Sequence, residues 1–270
     1  MASPTGLTHR LTDAYGLSVT GFVGPPGGAT ARDRTGGGRV RGGAAEVGRR
    51  ARVHHSTRRG MDFTGFTGET FAFFDGLARD NSKDYFHGRH GVYVRAVREP
   101  ARAPAEALEE EFGPIEAGRP NRDVRFSHDK SPYKTHVGLV GRSRGPVGYH
   151  LQLGLEGLSV GAGYHAASGA QVERYRDGVD DERQGPRLAR IVDELTDRGF
   201  DIVGDTLRTH PRGYRGDHPR MHLLRHRSLG AEHNLERSEV PLSAELLDTV
   251  RADWRATGPL TDWLDRHVTG

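Results

Sequence analysis

The sequence predicts an α+β fold in a single domain, with N-terminal helices, a central antiparallel sheet and C-terminal helices. Two observations carry that prediction. Between residues 61 and 113, and again after 185, apolar side chains recur at three- and four-residue intervals. Between about 122 and 165 they fall instead in short β-rich stretches punctuated by Gly, Pro and Ser. Helices and strands that come in blocks, not in alternation, argue against a parallel βαβ sheet.

Thr67 can cap a first helix whose apolar positions are Phe71, Phe74, Leu77 and Ala78, ending near Asp80. Ser82 can cap a second, with Phe86, Tyr93, Val94 and Val97 on one face and Pro100 as its end. Residues 104–113 read as a third, stopped by Gly113 and Pro114. The stretches DVRF (from Asp123), THVGLV (from Thr135), GYHLQLGL (from Gly148) and GLSVGAGY (from Gly157) read as an antiparallel meander. Helical period returns over residues 185–200, with Leu188, Ile191, Val192 and Leu195 inward. DIVGDTL, from Asp201, reads as one more strand. Asp217 caps a short helix reaching Leu223 and Leu224. Ser243 caps one carrying Leu246, Leu247, Val250 and Trp254, and Leu260, Trp263, Leu264 and Val268 mark the last.

Residues 1–60 fall outside this grammar. They hold ten Arg against three acids, a net +7, with thirteen Gly; the rest of the chain carries 29 Lys and Arg against 33 Asp and Glu, a net −4. Beyond Val23 the only large apolar residues of the segment are Val40, Val47 and Val53. So little apolar surface does not offset the entropy of ordering, and a disordered Arg/Gly-rich arm is expected. Such an arm either binds nucleic acid or precedes a true start at Met61; the second reading is preferred. The domain itself, residues 61–270, is acidic, and duplex binding needs a broad basic face, so nucleic acid is disfavoured as a partner. The chain has no cysteine, which excludes disulfides, thiolate metal sites and a thiol nucleophile. No apolar run approaches the roughly 18 residues of a membrane span, and no secretory h-region is present. A cytoplasmic protein without membrane contact is expected, no cofactor is implied, and nothing specifies an oligomeric state.

The densest polar motif is RDVRFSHDKSPYKTH, residues 122–136. The chain has three lysines, Lys83, Lys130 and Lys134, among 39 basic residues, and two of them fall here. Arg presents a planar fork, whereas Lys is a compact charge that reaches a single oxygen. In so Arg-biased a chain, two lysines mark a point charge that guanidinium does not replace. Pro132 holds Ser131 extended and Asp129 suits a turn, so the motif reads as a polar loop between two strands. An anion site is expected, with Arg122, Arg125, Lys130, Tyr133 and Lys134 as binding residues. The competing reading is a solvated turn held by ion pairs to Asp123 and Asp129.

This motif resembles the signature of DUF2461, a family of bacterial and fungal proteins of unknown function, whose typical form is RDxRFSxDKxPYKT. The resemblance continues in NSKDYF (residues 81–86), GLSVGAGY (157–164) and HPRGYRGDHPRMHLLRHRSL (210–229), and so covers nearly all of 61–270. Ser82 stands where the family usually has a second Asn, and Tyr85 where it has Trp. His128 replaces a usual Lys, which removes one cation from a phosphate-binding cluster. The resemblance implies membership and brings no activity with it.

A second polar cluster, PRGYRGDHPR (residues 211–220), adds Tyr214 to the expected ligand site. It also offers Asp217 and His218 as an acid–base pair, with Lys130 as a further candidate for proton transfer. Alternatively Asp217 only caps its helix, with Pro219 entering the first turn. His218, His222 and His226 fall at i, i+4 and i+8 of that helix, a spacing that suits metal. Arg220, Arg225 and Arg227 on the same helix make it a poor cation site, and no metal is expected. The Ser-x-x-Lys pairs Ser127/Lys130 and Ser131/Lys134 lack the helix that such chemistry needs, and no phosphate loop of the Walker kind exists. Glycines in GLSVGAGY mark close approach of another backbone or of a ligand; in the second case Tyr149, His150 and Gln152 line the same face. The leading reading is binding of an anionic, phosphorylated small molecule. A metal-independent enzyme acting on a phosphorylated or carboxylate metabolite is the alternative.

Overall fold

The computed structural model describes residue 63 and residues 65–125, 129–142 and 146–269. Helices precede and follow a six-stranded antiparallel sheet, the α+β arrangement expected. The arm and late start expected of residues 1–60 lie outside the described residues.

Helix α1 (Gly68–Arg79) begins at its expected cap, where the Thr67 N–H donates to Thr70 Oγ1 at 3.2 Å. It buries Phe71, Phe73, Phe74 and Leu77, while Ala78 is exposed. Ser82 caps α2 (Lys83–Gly88), its Oγ accepting from the Tyr85 N–H at 3.1 Å. The single helix expected from Ser82 to Pro100 is broken at Arg89. It resumes as α3 (His90–Tyr93) and passes into a π-helical turn at Val94–Arg98. Gly88 and Gly91 flank the break and weaken the helix there. Pro100 stops nothing: it sits in the first turn of α4 (Glu99–Phe112), where its missing N–H has no intrahelical partner to lose. Gly113, at φ 79°, ends α4 in a conformation that costs other residues more.

The sheet comprises β1 (Ile115–Ala117), β2 (His136–Arg142), β3 (Val147–Gly154), β4 (Gly157–His165), β5 (Asp201–Val203) and β6 (Ser228–Glu236), in the order β1-β2-β3-β4-β6-β5. The DVRF stretch is not a strand. Residues 123–125 belong to a loop, Phe126 lies outside the described residues, and the edge strand is Ile115–Ala117 instead. Strand β6, where no element is expected, pairs along the whole of β4, and β5 joins its outer edge. Helix α5 (Gly169–Asp180) is also new, capped by Ser168. Helices α6 (Gln184–Asp197), α8 (Glu245–Ala256) and α9 (Gly258–Val268) fall where periodicity places them. Between α6 and α8, α7 is only Met221–Leu224, with Arg220 at its N-cap. Asp217, expected to cap it, lies upstream and pairs with Arg215.

Strand alternation sorts the sheet into two unlike faces. One face has Val137, Leu153, Leu158 and Leu235 in one row and Leu139, Leu151, Val160 and His233 in the next. Two apolar clusters form on it, and the helices that supply Phe74, Trp254, Tyr175 and Trp263 pack there. On the opposite face one row reads Gly138, Gln152, Ser159 and Asn234. The next reads Val140, His150, Gly161, Glu232 and Asp201.

Candidate functional site

The central motif folds as two arms of a hairpin. The Arg122 N–H donates to the Pro132 carbonyl at 2.9 Å and the Lys134 N–H to the Pro120 carbonyl at 2.8 Å, with Asn121 bridged to Tyr133 between them. Tyr133 turns to the helical face, where its ring stacks on Phe86 with centroids 4.0 Å apart. Alternation then sends Arg122 and Lys134 to the polar face, beside His136. The electrostatics agree. Burial first, and then the charges of Lys134 and Arg122, hold the His136 imidazole down to a pKa of about 3.

The expected anion cluster therefore divides. Arg122 pairs with Asp129, and its Nε is buried with no hydrogen-bond partner among the described residues. Arg125 is exposed and closes on Asp123 at 2.6 Å, hydrogen bonds that lower the carboxyl to about 2. Lys130 Nζ donates to the Val124 carbonyl at 2.9 Å and so ties the loop to itself. Tyr133 is part of the core.

The second loop does not join the first. Tyr214 packs on the cluster of Tyr164, Tyr175 and Trp263, whereas Tyr133 belongs to the other. A cleft of about 370 Å³ lies beside Tyr214, but Asp180 and Asp217 line it, and Arg215 is paired with Asp217 at 3.0 Å. His218 Nδ1 accepts from the Arg220 N–H at 3.1 Å, and Nε2 faces Asp180 Oδ1 at 3.1 Å. Both ring nitrogens are thus engaged. The Arg220 guanidinium donates to the carbonyls of Val179 and Asp180 at 2.7 and 3.0 Å. The loop's polar groups fasten the end of α5.

The metal spacing dissolves as well. His222 is inside α7, His218 precedes it, and His226 follows it with Nδ1 2.9 Å from the Ser228 carbonyl oxygen, so the three share no helical face. Among the described residues, no group of three or more His, Asp or Glu could hold a metal ion, and no helix is long and apolar enough to cross a membrane.

The polar face holds groups that the motif does not announce. Glu232 lies across Gly161 to meet His150, with Oε1 and Nε2 3.2 Å apart and both side chains 2% exposed. Ser159 Oγ donates to Glu232 Oε2 at 3.4 Å. The strand glycines make room for this layer. A Cβ at Gly161 would stand 3.0 Å from Glu232 Cγ, and one at Gly154 would stand 2.6 Å from His136 Cβ. In GLSVGAGY the close approach is by another backbone, that of β6: a Cβ at Gly157, Gly161 or Gly163 would meet the carbonyl oxygen of Leu235, Ala231 or Leu229 at 2.1, 2.2 and 2.4 Å. His150 and Gln152 share this face, but Tyr149 does not: it alternates to the helical face and meets the rings of Phe112 and Trp254, each at 5.2 Å. Glu232 could have been found from the alternation of Leu229, Ala231, His233 and Leu235, which puts it opposite the core.

No curated protein matches the chain. A family model described as "Conserved hypothetical protein (DUF2461)" matches residues 69–263, a span that includes Asn81, the hairpin and every strand described above, and the chain belongs to that family.

Proposed function

We propose that the protein binds an anionic, phosphorylated small molecule at the β2 end of the polar face, with Arg122 and Lys134 as its cationic anchors beside His136. The observation that carries this reading is Arg122 Nε, a buried donor without an acceptor among the described residues. A buried donor left unmade costs about 1–3 kcal/mol, and an anion seated there recovers that cost through a charge-assisted hydrogen bond. Lys134 adds a second positive charge close enough to depress His136. Arg125 and Lys130, tied to Asp123 and Val124, shape the loop and do not meet the ligand. Tyr133 anchors the hairpin from the core side.

The test is thermal stability in different anions. Phosphate or sulfate raises the melting temperature of the wild type more than chloride does at matched ionic strength. Lys134→Ala removes most of that difference, while Lys130→Ala keeps most of it. A wild type that does not distinguish the anions overturns the reading, and so does a Lys134→Ala variant with an undiminished response.

A further inference from the structure

Resting on that reading, we propose that His150, Glu232 and Asn234 hold the far end of the same ligand, which is a monophosphorylated compound bearing hydroxyl or amino donors remote from its phosphate. The three lie on the face that Arg122, Lys134 and His136 share. From His136 to His150 the register runs four residues along and one strand across. At roughly 3.3 Å per residue and 4.8 Å per strand this is about 14 Å between Cα atoms, and Asn234 and Glu232, three strands across from His136, are about 16 and about 20 Å away, separations that the long Arg and Lys side chains shorten.

The two ends have opposite polarity. The β2 end offers donors, Arg122 and Lys134. The β6 end offers acceptors. Asn234 Nδ2 donates to Asp201 Oδ2 at 3.0 Å, which fixes the amide orientation, and Asn234 Oδ1 is then buried without a partner among the described residues. Glu232 stands two residues away on the same face, its carboxylate accepting from Ser159 and lying 3.2 Å from His150 Nε2. An orphaned acceptor beside a buried carboxylate calls for a ligand donor, as the orphaned Arg122 Nε calls for an acceptor.

The two large apolar clusters lie on the other face, while this one carries Val203 packed with Val140, and burial of a polar pair is weak evidence for stability because desolvation cancels much of the attraction. A sheet face kept only for solubility carries exposed polar groups, whereas His150 and Glu232 are 1% and 2% exposed.

The experiment compares inorganic phosphate with adenosine monophosphate, glucose 6-phosphate and phosphoserine, by melting temperature and calorimetric titration of the full chain. At least one organic phosphate binds on the order of tenfold more tightly than inorganic phosphate, the gain expected of one or two added hydrogen bonds. That excess disappears in Glu232→Gln and in Asn234→Ala, while the response to inorganic phosphate survives in both. Asn234→Ala breaks only an exposed hydrogen bond and decides the matter if Glu232→Gln fails to fold. If no organic phosphate exceeds inorganic phosphate, or if the excess survives in the folded variants, this inference falls and the anion reading stands. If inorganic phosphate has no effect on the wild type, both fall.

Discussion

Asn81 holds the backbone of Tyr133 from both sides: its Oδ1 accepts from the Tyr133 N–H at 2.9 Å, and its Nδ2 donates to the Tyr133 carbonyl at 3.0 Å. The amide thus stands in for a neighbouring strand. Phe86, from the same NSKDYF stretch, stacks on the Tyr133 ring. Two of the stretches that carry the family resemblance are therefore one joint, and its effect is to aim Arg122 and Lys134 at the opposite face.

Removing that joint has a measurable cost. Asn81→Ala leaves a part-buried N–H and carbonyl unmatched, for a loss of about 1–3 kcal/mol in denaturant unfolding. Asn81→Asp keeps the acceptor and loses the donor, so its stability falls between wild type and Asn81→Ala. Phosphate binding weakens in Asn81→Ala as well, because the hairpin arm that bears both anchors loses its support. Unchanged stability in Asn81→Ala would show that the joint is incidental.

His136 gives the fold an acid-sensitive limb. Its pKa is about 3 when folded, against 6.5 for an unperturbed imidazole, with burial the main cause and the nearby Lys134 and Arg122 adding to it. Between those values the unfolded chain binds the proton and the folded one does not. The stability that neutral His136 contributes is therefore complete above pH 6.5 and lost progressively as pH falls toward 3, with a slope of at most about 1.4 kcal/mol per pH unit. Urea titrations from pH 7 to pH 4 show this decline, and His136→Gln flattens it. Phosphate offsets the two cations and raises the imidazole pKa, which a nuclear magnetic resonance titration of the ring reads directly.

Gly161→Ala tests the polar layer from below. The added methyl meets the Ala231 carbonyl and the Glu232 side chain, so β4 and β6 must move apart where Glu232 reaches His150. Overpacking of this kind costs about 1–3 kcal/mol. Gly138→Ala, whose nearest contact is the Leu151 carbonyl oxygen at 3.7 Å, is the tolerated control on the same face.

What the sequence reveals here depends on how local the deciding interaction is. Helices α1, α8 and α9 are legible because each carries its own apolar stripe, and α1 also its start signal, Thr67 before Phe71; Ser243, expected to cap α8, stands one residue before its N-cap, Ala244. The break at Arg89 is less so, since the apolar spacing continues through it. Strand β6 is obscured because its core-facing positions include the small Ala231 and the polar His233, and its partner β4 is distant in sequence. In the candidate site, the cationic motif is visible as composition, but its division is not: whether Lys130 meets a ligand or the Val124 carbonyl is decided by loop closure. Placing Tyr214 beside Tyr133 fails for a tertiary reason, as the two dock on different clusters. Tyr149 fails for a simpler one, since consecutive strand residues point to opposite faces.

The position of β6 between β4 and β5 has a consequence for synthesis. A ribosome delivers β1 to β4 in an order that lets each pair with the one before it, but β5 emerges with no neighbour and waits for β6. Until Ser228 and the residues after it have left the exit tunnel, the edge of β4 and the whole of β5 present unpaired amides and carbonyls, the condition under which nascent sheets associate with one another. The strand that ends this exposure is the one that carries Glu232, so a chain cut short before it lacks both a closed sheet and the acidic half of its polar face.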